Sequence, residues 1–363
     1  MTPILTPADA LLLVADGLDD TAVGALAGHP LLAVAVDDDP TEVAALSRLA
    51  GRLRQTPAVL VGVAIGDDPL PGTGLGLDVL LCDGSGPVPR PWVACPDGVE
   101  AELERLSTAV DRSPGASVAL AQLLRVGESL ATADAVVAES WVYSLLQGSE
   151  HHREWLAVRA GRARKPRPER PVVVVERHDS ALSLTLDRAE VRNAYGTRMR
   201  DELVAGLQLA AADPSIAVVE VRGNGPAFCS GGDLDEFGTA GDPSAAHVVR
   251  TTRNAGIHLA GLADRVIVHV HGPCVGAGVE LPAFAGRVVA HSDTTFLLPE
   301  IAMGLVPGAG GTASIPRRVG RHRAAHLALS GRPIDATTAL AWGLVDGLED
   351  DAFPGPDDGG PGR

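Results

Sequence analysis

Twice in this 363-residue chain a β-branched run breaks into glycines: "SIAVVEVRG" (215–223) precedes "CSGGDLDEF" (229–237), and "RVIVHVHG" (265–272) precedes "PCVGAGVELPAFAG" (273–286). Between and before them lie strand-like alternation in "PVVVVERHDSALSLTLDR" and helical spacing in "MRDELVAGLQLAAAD". Strands and helices that alternate along the chain fold as an α/β domain with glycine turns at strand ends. Glycine lets such a turn tighten and lets another molecule approach the backbone. If a helix starts near Asp233, the Gly232 N–H is left unpaired at its head; Gly276-Ala277-Gly278 repeats the device at Ala277. Two such amides from separate turns can hold a negative oxygen, although either turn alone also fits a purely structural role.

Carboxylates follow closely. Glu280 lies three residues after Ala277 and returns to the same side of a helix begun there. Glu300 stands in the apolar stretch "FLLPEIAMGLVPGAGGT". Two carboxyls in apolar surroundings have shifted proton affinities and can work as an acid and base pair. A solvated helix face for Glu280 and a loop cap for Glu300 fit the same pattern.

Other chemistries find less support. Aromatic residues are 3% of the chain and its formal charge is −16, so base-stacking platforms are scarce and phosphate backbones are repelled; no nucleic acid partner is expected. No run of about 18 apolar residues is present, and the first twenty residues lack a basic leader, so a cytoplasmic protein without membrane partners is expected. The four cysteines are too scattered for a CxxC pair and read as reduced, packed thiols. Cys229 lacks a His/Asp partner, His269 and His271 lack a third ligand, and "GAGGT" lacks a following GKS or GKT, so neither thiol catalysis, a metal site nor nucleotide hydrolysis is expected.

Upstream, "LLAVAV" (31–36), "AVLVGVA" (58–64) and "DVLLCDG" read as buried strands around the helix "PTEVAALSRLAGRLRQ". Asp37, Asp38 and Asp39 read as a solvated turn. Three amphipathic stretches from about 100 to 160 are helical, the last being "ADAVVAESWVYSLLQGSEHHREWLAVRAG". "GRARKPRPER" (161–170), with five basic residues against one acid and two prolines, reads as a linker, or as a phosphate contact.

Four blocks, "RAEVRNAYGTRMRDEL", "GNGPAFCSGGDLDEF", "HVHGPCVGAGVELPAFAGRVVAHSDTTFLLPEIAMGLVPGAGGT" and "LALSGRPIDATTALAWGLVD", resemble the crotonase, or enoyl-CoA hydratase/isomerase, superfamily over about 172–348. The resemblance implies an α/β crotonase-like superhelix of repeated ββα units, two sheets at a steep angle, assembled as a homo-oligomer, a trimer or hexamer. It implies that the Gly232 and Ala277 amides hold the thioester oxygen of an acyl-CoA. Coenzyme A, part of the substrate and not a separate cofactor, would run along Asn193, Ala194, Gly231, Asp233, Leu234, Asp235 and Gly276. Glu280 and Glu300 would position and activate water, which favours an enoyl-CoA hydratase. Isomerase, thioester hydrolase, cofactor-free oxygenase and a non-catalytic acyl-CoA-binding subunit are the alternatives.

Two departures stand out. Leu298 occupies a position where some hydratases carry a glutamine that steadies a glutamate, which leaves the orientation of Glu280 open. The helical tail usual after "AWGLVD" is missing, while residues 112–168 resemble it. The expected division is therefore a degenerate crotonase-like α/β remnant (1–98), a helical cap supplied from the N-terminal side (99–160), a linker (161–171), the core (172–349) and a disordered tail (350–363).

Overall fold

A computed structural model describes residues 2–15, 24, 28–36, 40–53, 55–65, 76–161 and 169–350. Most of the basic linker (162–168), Asp37, Asp38, Asp39 and the tail beyond 350 lie outside the described residues.

The apolar runs of the N-terminal third form a parallel sheet whose strands follow chain order: β1 (Ile4–Leu5), β2 (Leu31–Val36), β3 (Val59–Ala64), β4 (Val79–Asp83) and β5 (Val93–Cys95). Helices α1 (Pro7–Ala15) and α2 (Pro40–Leu53) connect the first strands. Continuous hydrophobic strands of this kind need cover on both faces. Val34, Val36, Leu60 and Leu80 pack with Ala10, Leu46 and Trp92 on one side. Their neighbours Ala33, Val61, Val79 and Leu81 face the other way, into a core that continues unbroken to the second half of the chain.

Four helices follow: α3 (Val99–Arg112), α4 (Pro114–Gly127), α5 (Thr132–Gln147) and α6 (Glu150–Arg159). The last amphipathic stretch is therefore two helices. The chain breaks at Gly148, and the Ser149 hydroxyl caps α6 by accepting from the His152 N–H at 3.2 Å.

The second half opens with an antiparallel hairpin, β6 (Val173–His178) and β7 (Ala181–Leu186), whose alternating "ALSLTL" buries every second residue. Helix α7 (Thr197–Ala212) leads to β8 (Val218–Gly223); α8 (Pro243–Thr252) and α9 (Ala255–Gly261) lead to β9 (Val266–Val270). After β10 (Pro273–Val275) and the single turn α10 (Ala277–Glu280) come β11 (Arg287–Ala290) and β12 (Thr295–Leu297). The chain then passes through α11 (Gly311–Val319), α12 (Arg321–Ser330), β13 (Ile334–Asp335), α13 (Ala336–Trp342) and β14 (Gly347–Leu348). The strands assemble as a six-stranded sheet ordered β14-β11-β9-β8-β7-β6 and a three-stranded sheet ordered β10-β12-β13. The α/β architecture expected of the core is present, and the N-terminal helices cover it, α5 lying on α8 and α11 and α3 and α4 on α12. No helix starts at Asp233. Residues 234–238 form turns instead, and the backbone there is fixed by a bridge between Tyr195 and Gly232.

Ionic contacts lock the two halves together. Asp78, just ahead of β4, accepts from the Leu60 N–H (2.9 Å), from Arg125 of α4 at both carboxylate oxygens (2.8 and 2.5 Å) and from Arg321 of α12 (3.2 Å). All three ionic side chains are buried. Arg125 also reaches the Thr56 and Ala58 carbonyls, and Arg323 reaches those of Val88 and Trp92. One turn further along α12, His326 meets Glu102 of α3 at 2.8 Å. Burial raises the Glu102 proton affinity, but His326 and Arg105 outweigh it and bring the pKa down to about 2. Removing one member of a buried ionic cluster leaves the others uncompensated. Asp78→Ala is expected to lower the unfolding free energy by about 3–5 kcal/mol in denaturant titration; a loss under about 1 kcal/mol would show that the cluster contributes little.

Candidate active site

The two glycine turns meet through strand register. Cys229 and Cys274 form a parallel bridge, and the Val275 N–H donates to the Cys229 carbonyl at 3.0 Å. Just beyond it the turns touch: a Cβ at Gly231 would fall 3.0 Å from the Val275 carbonyl oxygen, and one at Gly276 would fall 3.7 Å from the Gly231 Cα. So close an approach excludes side chains: a Cβ at Gly278 would fall 2.3 Å from the Cys229 carbonyl oxygen. Gly276 turns at φ 48°, and a Cβ there would meet Glu300 Oε1 at 2.4 Å. The N–H groups of Gly232 and Ala277 have no acceptor among the described residues. Both residues line a cavity of about 460 Å³ together with Asp233, Glu280, Glu300, Tyr143 and Arg250.

Glu280 and Glu300 are held differently. Glu280 Oε2 accepts from the Ala309 and Gly311 N–H groups at 2.7 and 2.9 Å, at the start of α11. These amides fix its orientation with Leu298 in place of glutamine; Leu298 is simply buried core. Glu300, at the head of a short 3-10 turn, buries Oε2 without a partner among the described residues. Burial pushes both carboxyls up, Glu280 to about 7 against the pull of its two amide donors. Glu300 rises well above the ordinary value, with the Glu280 charge adding to burial.

A third carboxyl lies beside them. Glu139 of α5 accepts from the Gly310 N–H at Oε1 (2.7 Å) and from the Thr312 N–H and hydroxyl at Oε2 (2.8 and 2.7 Å). Glu280 and Glu139 thus divide four successive amides alternately: 309 and 311 to one, 310 and 312 to the other. A helix N-terminus favours negative charge, but here two carboxylates compete for it. Burial and the Glu280 charge push Glu139 up to about 8, against the donation from Thr312 and Gly310. Nothing in the sequence marked Glu139, which reads there as one acid on an amphipathic helix; only the packing of α5 brings it to the site. Tyr143, one turn along α5, was missed for the same reason.

The two segments expected along coenzyme A run side by side, the Ser230 N–H donating to the Arg192 carbonyl at 2.8 Å and the Tyr195 N–H to the Gly231 carbonyl at 2.7 Å. Asp233 lines the cavity, ion-paired to Arg188 at 2.7 Å, while its Oδ1 accepts from the Asp235 N–H at 3.1 Å. Asn193 is fully buried; its side chain accepts from the Arg188 N–H and donates to the Asn224 and Ala227 carbonyls, bracing the loop from within. Gly231 and Gly276 shape their turns, and Ala194, Leu234 and Asp235 lie outside the cavity lining. Burial pushes the Cys229 thiol up to about 12, so it stays protonated and packed. Among the described residues no cluster of His, Cys, Asp and Glu fits a metal ion, and no helix is long and apolar enough to cross a membrane.

A carboxyl whose folded pKa is raised adds stability in full below its unfolded value, near 4.5, and loses it as pH rises through the folded value. His269 (lowered to about 4), His322 (lowered to about 3) and His152 (lowered), each chiefly by burial, have the opposite sign, but well above their unfolded pKa of 6.5 they are neutral in both states. Toward pH 8 the native chain therefore keeps carboxyl protons that the unfolded chain has lost, and unfolding free energy falls as pH rises. Glu139→Gln is expected to flatten that slope in denaturant titrations. An unchanged slope would show that Glu139 does not share in it.

Residues 176–351 match the Enoyl-CoA hydratase/isomerase family profile. The chain is 38% identical over 182 residues to a 2,3-dehydroadipyl-CoA hydratase of Escherichia coli (strain K12), covering 50% of this chain and 69% of that protein. It is 32% identical over 172 residues to an enoyl-CoA isomerase/hydratase of Mycosarcoma maydis, covering 45% of this chain and 63% of that protein, less than two thirds of its length. A solved enoyl-CoA hydratase of Thermoplasma volcanium GSS1 is 32% identical, with 51% of this chain and 74% of that one covered at a TM-score of 0.47. With its two glycine turns abreast and its glutamates on one cavity, the chain belongs to the enoyl-CoA hydratase/isomerase family.

Proposed function

We propose that this enzyme adds water across the double bond of a 2-enoyl-CoA thioester, and in reverse dehydrates a 3-hydroxyacyl-CoA. The observation that carries the reading is the unequal treatment of two carboxyls on one cavity: Glu280 held by two amide donors, Glu300 buried with an unpartnered oxygen. Donors to a carboxylate favour its charged form, whereas burial without donors favours the neutral acid. Glu280 is thereby suited to be the base and Glu300 the acid.

In the forward direction the thioester carbonyl accepts from the Gly232 and Ala277 N–H groups. Charge moves onto that oxygen as water attacks the β-carbon, and donors already aimed at it need no reorganisation. Glu280 takes one proton from the attacking water, and Glu300 gives its proton to the α-carbon. The product gains H and OH overall, and the two carboxyls end with their protonation exchanged; a proton passed from Glu280 to Glu300 through solvent restores the start. Similarity to a named 2,3-dehydroadipyl-CoA hydratase supports hydration, and similarity to a named isomerase/hydratase keeps double-bond migration as the neighbouring chemistry.

The test follows loss of the conjugated-thioester absorbance over a panel of 2-enoyl-CoAs. Glu280→Gln and Glu300→Gln should each lower kcat by about 10²–10⁴-fold, the usual contribution of a positioned acid or base. If only one substitution abolishes turnover and the product is a shifted double bond, the chain is an isomerase.

A further inference from the structure

Arg250, on α8, lines the same cavity as Glu280 and Glu300. Its guanidinium stands over the Tyr143 ring, 4.7 Å from the centroid, and donates to the Ser140 hydroxyl (3.1 Å), the Ser140 carbonyl (3.4 Å) and the Ser144 hydroxyl. The other cavity-lining arginines, Arg200 and Arg253, both face Asp201, at 2.9 and 3.8 Å. Arg250 has no carboxylate within ion-pair distance among the described residues, and its Nη1 donates to none of their acceptors. Burial lowers its proton affinity, yet a guanidinium in a protein keeps its charge. Arg250 is half-buried, and serine oxygens and an aromatic face offset only part of what its charge loses in that setting.

Position decides which part of a ligand it would meet. The Tyr143 ring under Arg250 lies against Gly308 on the backbone that leads into Ala309, which holds Glu280. Arg250 is thus one aromatic ring away from the carboxyl side of the cavity. Because Glu139 and Glu300 are held toward their neutral forms, the nearby carboxyls repel an entering anion less than their number suggests.

We propose that Arg250 is the receptor for a carboxylate at the far end of the acyl chain, so that this site takes ω-carboxyacyl thioesters in preference to plain alkyl ones. The inference rests on the thioester reading above and names its substrate class. A carboxylate there would supply the bidentate partner that the guanidinium lacks.

The experiment is calorimetric binding of matched saturated thioesters that cannot react: pentanoyl-CoA against glutaryl-CoA, and hexanoyl-CoA against adipoyl-CoA. The full chain should bind at least one carboxylated member about tenfold or more tightly than its partner, the scale of a charge-assisted contact. Arg250→Met should erase that preference and Arg250→Lys keep part of it. Equal affinities within both pairs in the unsubstituted protein would overturn the proposal, whatever the variants do. So would an Arg250→Met loss shared by all four ligands; if that loss disappears with 3′-dephospho-CoA thioesters, the anion met by Arg250 is the coenzyme's own phosphate. Failure of every thioester to bind would overturn the thioester reading itself.

Discussion

The alternating grip of Glu280 and Glu139 on the amides of residues 309–312 is the contact on which the site depends. A helix start offers unpaired N–H groups, and a buried carboxylate needs donors. Here one helix start serves two carboxylates, one from the glycine turn of the core and one from the N-terminal helices. Glu280 is oriented only if the loop is, and the loop is held from its other side only if α5 is in place. Geometry and proton affinity at the site are therefore joint products of the two halves of the chain.

Asp78 supports that union from a distance. By joining the N-terminal sheet to α4 and α12 through two buried guanidinium groups, it fixes the helices that flank α5 and α11. A continuous apolar core runs under the same elements. Non-directional burial supplies most of the attraction, and the buried ions fix which surfaces meet.

Much of this was legible in the sequence, and the reasons are local. Alternation in "ALSLTL" and continuous apolar runs such as "LLAVAV" report strands because a side chain's face depends only on its own parity along the strand. The glycine turns stand out because close backbone approach at Gly278 tolerates no side chain. What stayed hidden depends on tertiary contact. Glu139 and its partner amides are more than 170 residues apart, and no periodicity links them. The inward turn of the Asn193 amide was equally hidden, because the three backbone groups it meets, on Arg188, Asn224 and Ala227, come together only in the folded chain.

Placing the covering helices ahead of the core also sets an order of assembly. Gly310 leaves the ribosome 171 residues after Glu139, at common elongation rates an interval of roughly 10–30 s. Throughout that time the α5 segment has been made while the loop that will satisfy its carboxyl has not. The contacts that end this interval also hold the loop that orients the proposed base, so a chain arrested before residue 309 would carry its cover but no organised site.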